Sequence, residues 1–354
     1  MSLTRRTVIQ GLAALPLAKA AASDDGSRIA LVIGNAAYGF APLANPANDA
    51  QDMAELLGRA GFAVEHRVDL GRQQFAGAIG AFRQRLQQPK VKEVFFYYAG
   101  HGAQLDWRNY LVPVDARITS ARQLMADCID LNALVEQFAR SPGKTYVVIL
   151  DACRDNPFGD GFHVQNKGLS EFDAPGNSLI AYATSPGRAA ADGKGRNGLY
   201  TGHLLRELAI RNVQIEDALK RVRLNVRLSS AGRQIPWEST SLEERFLVFP
   251  DSLPKPGEAE LARQLEVEIE AWGRTRSSQD AAVWAEFLRQ FPSGYFSEIA
   301  QARLDRLLRQ ARDEVLLAAA SPAPARPPEP APEPAPEPAP VLHQALPEPV
   351  QLPA

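Results

Sequence analysis

Residues 91–98 read VKEVFFYY and residues 144–150 read KTYVVIL. Both are near-continuous apolar runs of strand length. A strand with one wet face alternates apolar with polar residues, so runs of this kind mark parallel strands buried on both faces. Outward from them, residues 28–34 (RIALVIG) and 178–184 (SLIAYAT) read the same way, and residues 62–70 predict a further strand. Between these runs the apolar residues fall at helical spacing over residues 48–60, 73–88, 200–210 and 215–228, and residues 245–249 close the region. Strands alternating with helices predict a doubly wound α/β sheet, whose function gathers beyond the carboxyl ends of its strands.

Composition limits what that function is. The chain has 354 residues, 45% hydrophobic and 23% charged, enough apolar material for a sizeable core. Lys and Arg number 39 against 41 Asp and Glu, a formal charge of −2, so nothing offsets a phosphate backbone and nucleic acid is not an expected partner. Two cysteines, Cys128 and Cys153, cannot build a disulfide framework or a four-thiolate zinc site. His66, His163, His203 and His343 lack metal-ligand spacing, and no dinucleotide, Walker or Gly-x-Ser-x-Gly motif occurs. No metal or other cofactor is therefore expected.

The two ends differ from the middle. Arg5-Arg6 precede a short apolar run over residues 8–18 and small residues up to Ala22, which predicts an export signal over residues 1–22, of twin-arginine or Sec type. The run is too short to span a bilayer, and the expected location is periplasmic or secreted. Of the 27 prolines, 13 fall between Pro322 and Pro353, so residues 321–354 predict a disordered or polyproline II extension. Residues 258–317 carry three amphipathic stretches with a Pro292-Ser293-Gly294 break, and read as a small all-helical module with a hairpin like a tetratricopeptide unit. Such a module either binds a protein partner or packs on the preceding domain.

Two of the expected strand ends carry a histidine and a cysteine. Cleavage of an amide by cysteine needs a thiolate, a nearby base and backbone donors for the oxyanion. His101 between Gly100 and Gly102, and Cys153 after Asp151-Ala152, are read as lying just past their strands, where adjacent parallel strands would bring both to one rim. The segments 97–102 (YYAGHG) and 149–154 (ILDACR), separated by 52 residues from His to Cys, resemble the caspase-like cysteine peptidases, a group with metacaspases and bacterial orthocaspases. The resemblance covers residues 28–250. It implies a caspase-like, mostly parallel six-stranded sheet, His101 as base, Cys153 as nucleophile, and the N–H groups of Gly102 and Cys153 as oxyanion hole.

The resemblance also bears on specificity. Animal caspases, which cleave after Asp, carry Gln where this chain has Asp151. Relatives that cleave after Arg or Lys carry Asp there, with another acidic residue in the first strand-to-helix loop, matched here by Asp49. Asp49 and Asp151 are thus expected to floor an S1 pocket for a basic residue by charge-assisted pairing. Asp49 has a plainer reading as a cap of the helix that follows it. Lys167, before Gly168 in the segment joining the two halves of such domains, is a candidate self-cleavage point. Residues 183–186 (ATSP) and 197–201 (NGLYT) resemble second-half segments in which an edge strand binds substrate backbone. Some metacaspases need calcium, but no acidic 12-residue loop is found here. The expectation is an exported cysteine endopeptidase acting on proteins or peptides with a basic P1 residue. The alternative is a catalytically silent caspase-fold scaffold.

Overall fold

The computed structural model describes residues 25–139, 143–153, 158, 169, 173–184, 195–251 and 257–320. The expected export signal, Lys167 and the Pro-rich extension lie outside them. Strands β1 (Arg28–Gly34), β2 (Ala63–Val68), β3 (Glu93–Leu105), β6 (Thr145–Cys153), β7 (Ser178–Tyr182) and β8 (Trp237–Thr240) form one sheet in the order β2-β1-β3-β6-β7-β8. The first five run parallel and β8 antiparallel, a mostly parallel six-strand path of the expected class. Two short strands, β4 (Arg108–Leu111) and β5 (Ile129–Asp130), form an antiparallel side ribbon off the end of β3.

Helices cover both faces, and the strand period of two decides which residue meets which layer. Helices α1 (Pro46–Arg59), α5 (Leu199–Leu208) and α6 (Ile215–Ser229) bury Met53, Leu57, Leu204, Leu219 and Val222 against Val32, Phe95, Tyr97, Val147 and Ile149. Helices α2 (Arg72–Leu86) and α4 (Leu131–Ala139) bury Phe75, Phe82, Leu131 and Leu134 against the alternate residues Leu31, Val94, Phe96, Tyr98 and Val148. Each such fully buried side chain contributes about 1.5–3 kcal/mol of transfer free energy, which is why the central strands read as continuous apolar runs. A short helix α3 (Ala121–Asp127) is capped by the Ser120 side chain, which accepts from the Gln123 N–H.

Three expectations need correction. Residues 245–249 do not form a strand: they contribute one isolated bridge, Gln214 to Leu247, and the Leu247 and Val248 carbonyls accept from the Arg28 guanidinium. The sheet's edge is instead β8, four residues whose exposed Trp237 and polar neighbours give no apolar run to read. His101 and Cys153 are not past their strands but within them, because Gly100, Gly102 and Ala152 beside them stay extended. The pairing of β3 with β6 continues to the His101–Cys153 register, and β3 goes on to pair with β4. Residues 199–201 begin α5, as the helical spacing over residues 200–210 predicts, so the NGLYT segment supplies no edge strand.

The chain divides after Leu308. Before that point, helices α7 (Glu258–Thr275) and α8 (Ala281–Gln290) and the first turns of α9 (Ser297–Ala320) enclose a core of Trp284, Phe287, Leu288, Ala300 and Leu304. Leu224 of α6 joins that core, and Arg227 of α6 pairs with Asp305, so these helices pack on the α/β domain. The Pro292-Ser293-Gly294 break has a steric reason. The Glu268 carboxylate lies 2.6 Å or less from where a Cβ on Gly294 would stand, and it accepts the Phe296 N–H at 2.8 Å. Beyond Leu308, the second unit contains the final turns of α9. No helix among the described residues is long and apolar enough to cross a membrane.

Candidate active site

The strand order reverses after β2: the chain passes from β1 to one side, then returns to place β3 on the other. The segments leaving β1 and β3 therefore part in opposite directions, and a crevice opens at the carboxyl ends of these strands. His101 stands at this rim, 5% exposed, with its Cα in register with that of Cys153, the last residue of β6.

The loop after β1 holds the imidazole. Nε2 of His101 lies 2.7 Å from the Ala41 carbonyl oxygen. A carbonyl can only accept, so Nε2 carries the hydrogen and Nδ1 is the basic nitrogen. The Tyr38 ring lies 4.4 Å from the imidazole, and Phe40, 40% exposed, stacks on it at 5.9 Å. The backbone of His101 is held as well: its N–H donates to the Tyr38 hydroxyl at 2.9 Å, and its carbonyl accepts from Tyr98 at 2.7 Å and from the Val112 N–H at 3.1 Å. A side chain on Gly100 would come within 2.7 Å of both tyrosine hydroxyls, so this position requires glycine. Gly102 lies within β3, in register with Leu111 and closely packed under Leu169 and Ala152.

Asp151 stands one pleat repeat before Cys153 on β6. Its Oδ2 accepts from the Thr201 hydroxyl of α5 at 2.6 Å. That donation uses the only proton of Thr201, so the buried Tyr97 hydroxyl, 2.6 Å away, donates to Thr201. Burial, followed by the charges of Asp151 and Asp49, keeps Tyr97 well above the ordinary tyrosine range, which keeps it a donor. The result is a directed chain, Tyr97 to Thr201 to Asp151.

Asp49 comes to the same place from the first turn of α1, 2% exposed. It does not cap its own helix; its carboxylate accepts the Gly198 N–H at 3.0 Å. The two carboxylates converge: the point where a Cβ on Gly198 would stand is 3.1 Å from Asp49 Oδ2 and 3.5 Å from Asp151 Oδ2. Burial, and next the charge of Asp151, raise the Asp49 carboxyl to about 7, against the downward pull of the Gly198 and Asn197 hydrogen bonds. The loop carrying Gly198 is tied to α1 a second time. Arg196 donates to Asp52 at 2.9 and 3.1 Å, Asn197 donates to Asp52 at 2.8 Å, and Asn48 donates to the Arg196 carbonyl at 3.2 Å.

Cys128, the other cysteine, is buried beside Tyr110 and Leu124, and burial pushes its thiol up to about 12. It is a packing residue with no thiolate character near neutral pH. Among the described residues, no group of three or more His, Cys, Asp or Glu side chains is arranged to hold a metal ion.

A family model described as a caspase domain matches residues 27–247, most of the chain. The chain belongs to the caspase-domain peptidase family. The chain is 28% identical over 177 residues to the mouse homolog of mucosa-associated lymphoid tissue lymphoma translocation protein 1, and equally to the human protein. Those alignments cover 49% of this chain but only 19% and 20% of the relatives, so the chain spans about a fifth of their length. Caspase-1 of Spodoptera frugiperda aligns over 69% of this chain and all of its own, at 16% identity and a TM-score of 0.49.

The site residues outside the sequence reading are Tyr38, Phe40, Ala41, Asp52, Tyr97, Tyr98, Arg196, Gly198 and Thr201. Tyr97 and Tyr98 sit within the quoted YYAGHG segment, and Gly198 and Thr201 within NGLYT. Ala41 acts through its carbonyl, which no side-chain pattern announces.

Proposed function

We propose that this chain is an exported cysteine endopeptidase that hydrolyses peptide bonds after Arg or Lys. The reading is carried by one observation: the residue one pleat repeat before Cys153 is an aspartate whose carboxylate converges with that of Asp49, in a rim where His101 is in register with Cys153. A P1 side chain descending from a scissile carbonyl at Cys153 meets two carboxylates, one accepting from the Thr201 hydroxyl and the other from the Gly198 N–H, which suits a cation and repels an acid.

In the reaction, Nδ1 of His101 takes the thiol proton of Cys153, and the thiolate attacks the carbonyl carbon. The developing oxyanion is received by the N–H groups of Gly102 and Cys153. The intermediate collapses as the imidazolium returns its proton to the leaving amine, giving a thioester. Water, deprotonated by His101, then releases the carboxylic acid and restores the thiol. The Ala41 carbonyl keeps the imidazole in the productive tautomer throughout and stabilises the imidazolium.

A peptide library varied at P1 tests this reading. The expected result is cleavage confined to Arg and Lys at P1; preference for Asp at P1 overturns the pocket assignment, and no cleavage of any member favours the scaffold alternative.

A further inference from the structure

The strand order settles on which side of the nucleophile a leaving group departs. Cys153 ends β6, and His101 lies in register with it on the neighbouring strand β3. The base returns its proton to the leaving amine, so that nitrogen, and the residue it belongs to (P1′, the first after the scissile bond), lie on the β3 side of Cys153. Past His101, β3 continues to Leu105 and pairs with β4, so the surface beyond the base is built by this ribbon and by the loop that follows β1.

That surface is apolar and preformed. Phe40 stacks on the His101 imidazole with the ring centroids 5.9 Å apart, and its ring also tilts against Tyr38 at 5.5 Å. The Phe158 ring lies 6.1 Å from that of Phe40. Phe158, Leu43 and Leu105 are partly buried against the cluster that contains Tyr38 and Ala103, which carries the apolar surface from the loop onto the ribbon. The loop bearing Phe40 is pinned by its backbone. The Asp69 carboxylate accepts the Ala36 and Ala37 N–H groups at 2.8 Å each, and the Leu43 N–H donates to the Ala36 carbonyl at 3.0 Å. Phe40, 40% exposed, is therefore held in place before any substrate arrives, and little ordering remains to oppose binding.

We propose that Phe40 and Phe158 form an apolar subsite for the P1′ side chain, so that the enzyme cuts between a basic residue and a large apolar one. This rests on the peptidase reading above. A single exposed aromatic ring would mean nothing by itself. Here two rings meet, and one of them is stacked on the base that must reach the leaving nitrogen, to which the P1′ Cα is directly bonded. A Leu or Phe at P1′ covers these rings and buries its own apolar area, Gly buries none, and Asp or Lys loses hydration without gaining a partner. Because the P1′ residue leaves with the amine, the preference acts on thioester formation and is read in kcat/KM; hydrolysis of the thioester does not feel it.

The test is a set of internally quenched peptides with Arg fixed at P1 and Gly, Ala, Leu, Phe, Asp or Lys at P1′, cut by the full chain. The expected result is a kcat/KM for Leu and Phe roughly tenfold above that for Gly, with Asp and Lys no better than Gly. Phe40→Ala brings the ratio of Phe to Gly within about twofold of unity, and Phe158→Ala lowers it by about threefold. Each ratio is taken within one enzyme, so a loss common to all peptides through a disturbed imidazole cancels. Inhibition by benzamidine, which needs only the acidic pocket, stays unchanged in both variants. A wild type that cuts before Gly or a charged residue as fast as before Phe, or a Phe40→Ala enzyme that keeps the wild-type ratio, overturns the proposal. If Phe40→Ala is inactive on every peptide, Phe158→Ala decides, and an unchanged ratio there overturns it. A wild type inactive on all the Arg peptides removes the peptidase reading and this proposal with it, whereas cleavage after Arg without regard to P1′ leaves that reading standing and overturns this proposal alone.

Discussion

Replacing Cys153 by Ala lowers the cleavage of an Arg-terminated fluorogenic peptide by roughly 10⁴-fold or more, to the level of a blank. The size follows from the chemistry: without the sulfur there is no thioester, and positioned donors alone leave only a small residual acceleration. His101→Ala gives a similar loss, because base and nucleophile act as a unit and their effects do not add. Neither change should unfold the protein. Cys153 ends its strand, and the sheet beneath is held by the buried faces of α1, α2, α4, α5 and α6. Circular dichroism with a melting curve, run beside the peptide assay, checks this. Full activity in Cys153→Ala refutes the assignment, since Cys128 is buried with its thiol pushed up to about 12 and cannot substitute.

The second large effect belongs to the carboxylate pair. Asp151→Asn keeps an oxygen to accept from Thr201 but removes the charge, and kcat/KM for Arg peptides falls by roughly 10²- to 10³-fold, the usual scale for removing one partner of a desolvated ion pair. Asp49 adds a pH dependence whose sign can be worked out. In the empty pocket its carboxyl is raised to about 7 by burial and by the Asp151 charge, so below that pH it is mostly protonated and a cationic P1 residue meets one charge fewer. Arg-peptide kcat/KM therefore rises through pH 7, chiefly by a fall in KM, and Asp49→Asn flattens this limb. Iodoacetamide alkylation of Cys153 does not use the pocket and supplies the pH profile of the dyad for comparison. The same shift acts on stability: a carboxyl whose folded value is raised destabilises the fold as pH climbs from its ordinary range near 4 through 7. Asp49→Asn should then raise the melting temperature at pH 8 and leave it near wild type at pH 4.

These predictions also show where sequence reading reaches. β1, β3, β6 and β7 were legible because strands covered on both faces have no polar alternation, and α1, α2, α5 and α6 because each buries one stripe. Asp49, His101, Asp151 and Cys153 were legible as candidates because they sit in short motifs on those elements. β8 was not, since a four-residue edge strand with polar side chains carries no period, and residues 245–249, apolar like a strand, are bound instead by Arg28 through their carbonyls. The apolar signal of β3 stops short of His101 because Ala99, Gly100 and Gly102 add nothing to it, although their extended backbone continues the pairing. Contacts made by backbone or across long separations were out of reach for a different reason. The Ala41 carbonyl, the Gly198 N–H and the Arg196 to Asp52 pair depend on which loops meet at the rim, and that follows only from the strand order.

The claim at the centre is that Cys153 is a nucleophile served by a pocket for a basic residue. Incubation of the full chain with a peptidyl-Arg chloromethyl ketone, followed by intact-mass measurement and peptide mapping, tests both parts at once. The predicted result is one label per chain, on Cys153, with Cys128 unmodified and with an Asp-containing analogue reacting far more slowly. A label on Cys128, no label at all, or faster reaction with the Asp analogue would contradict it.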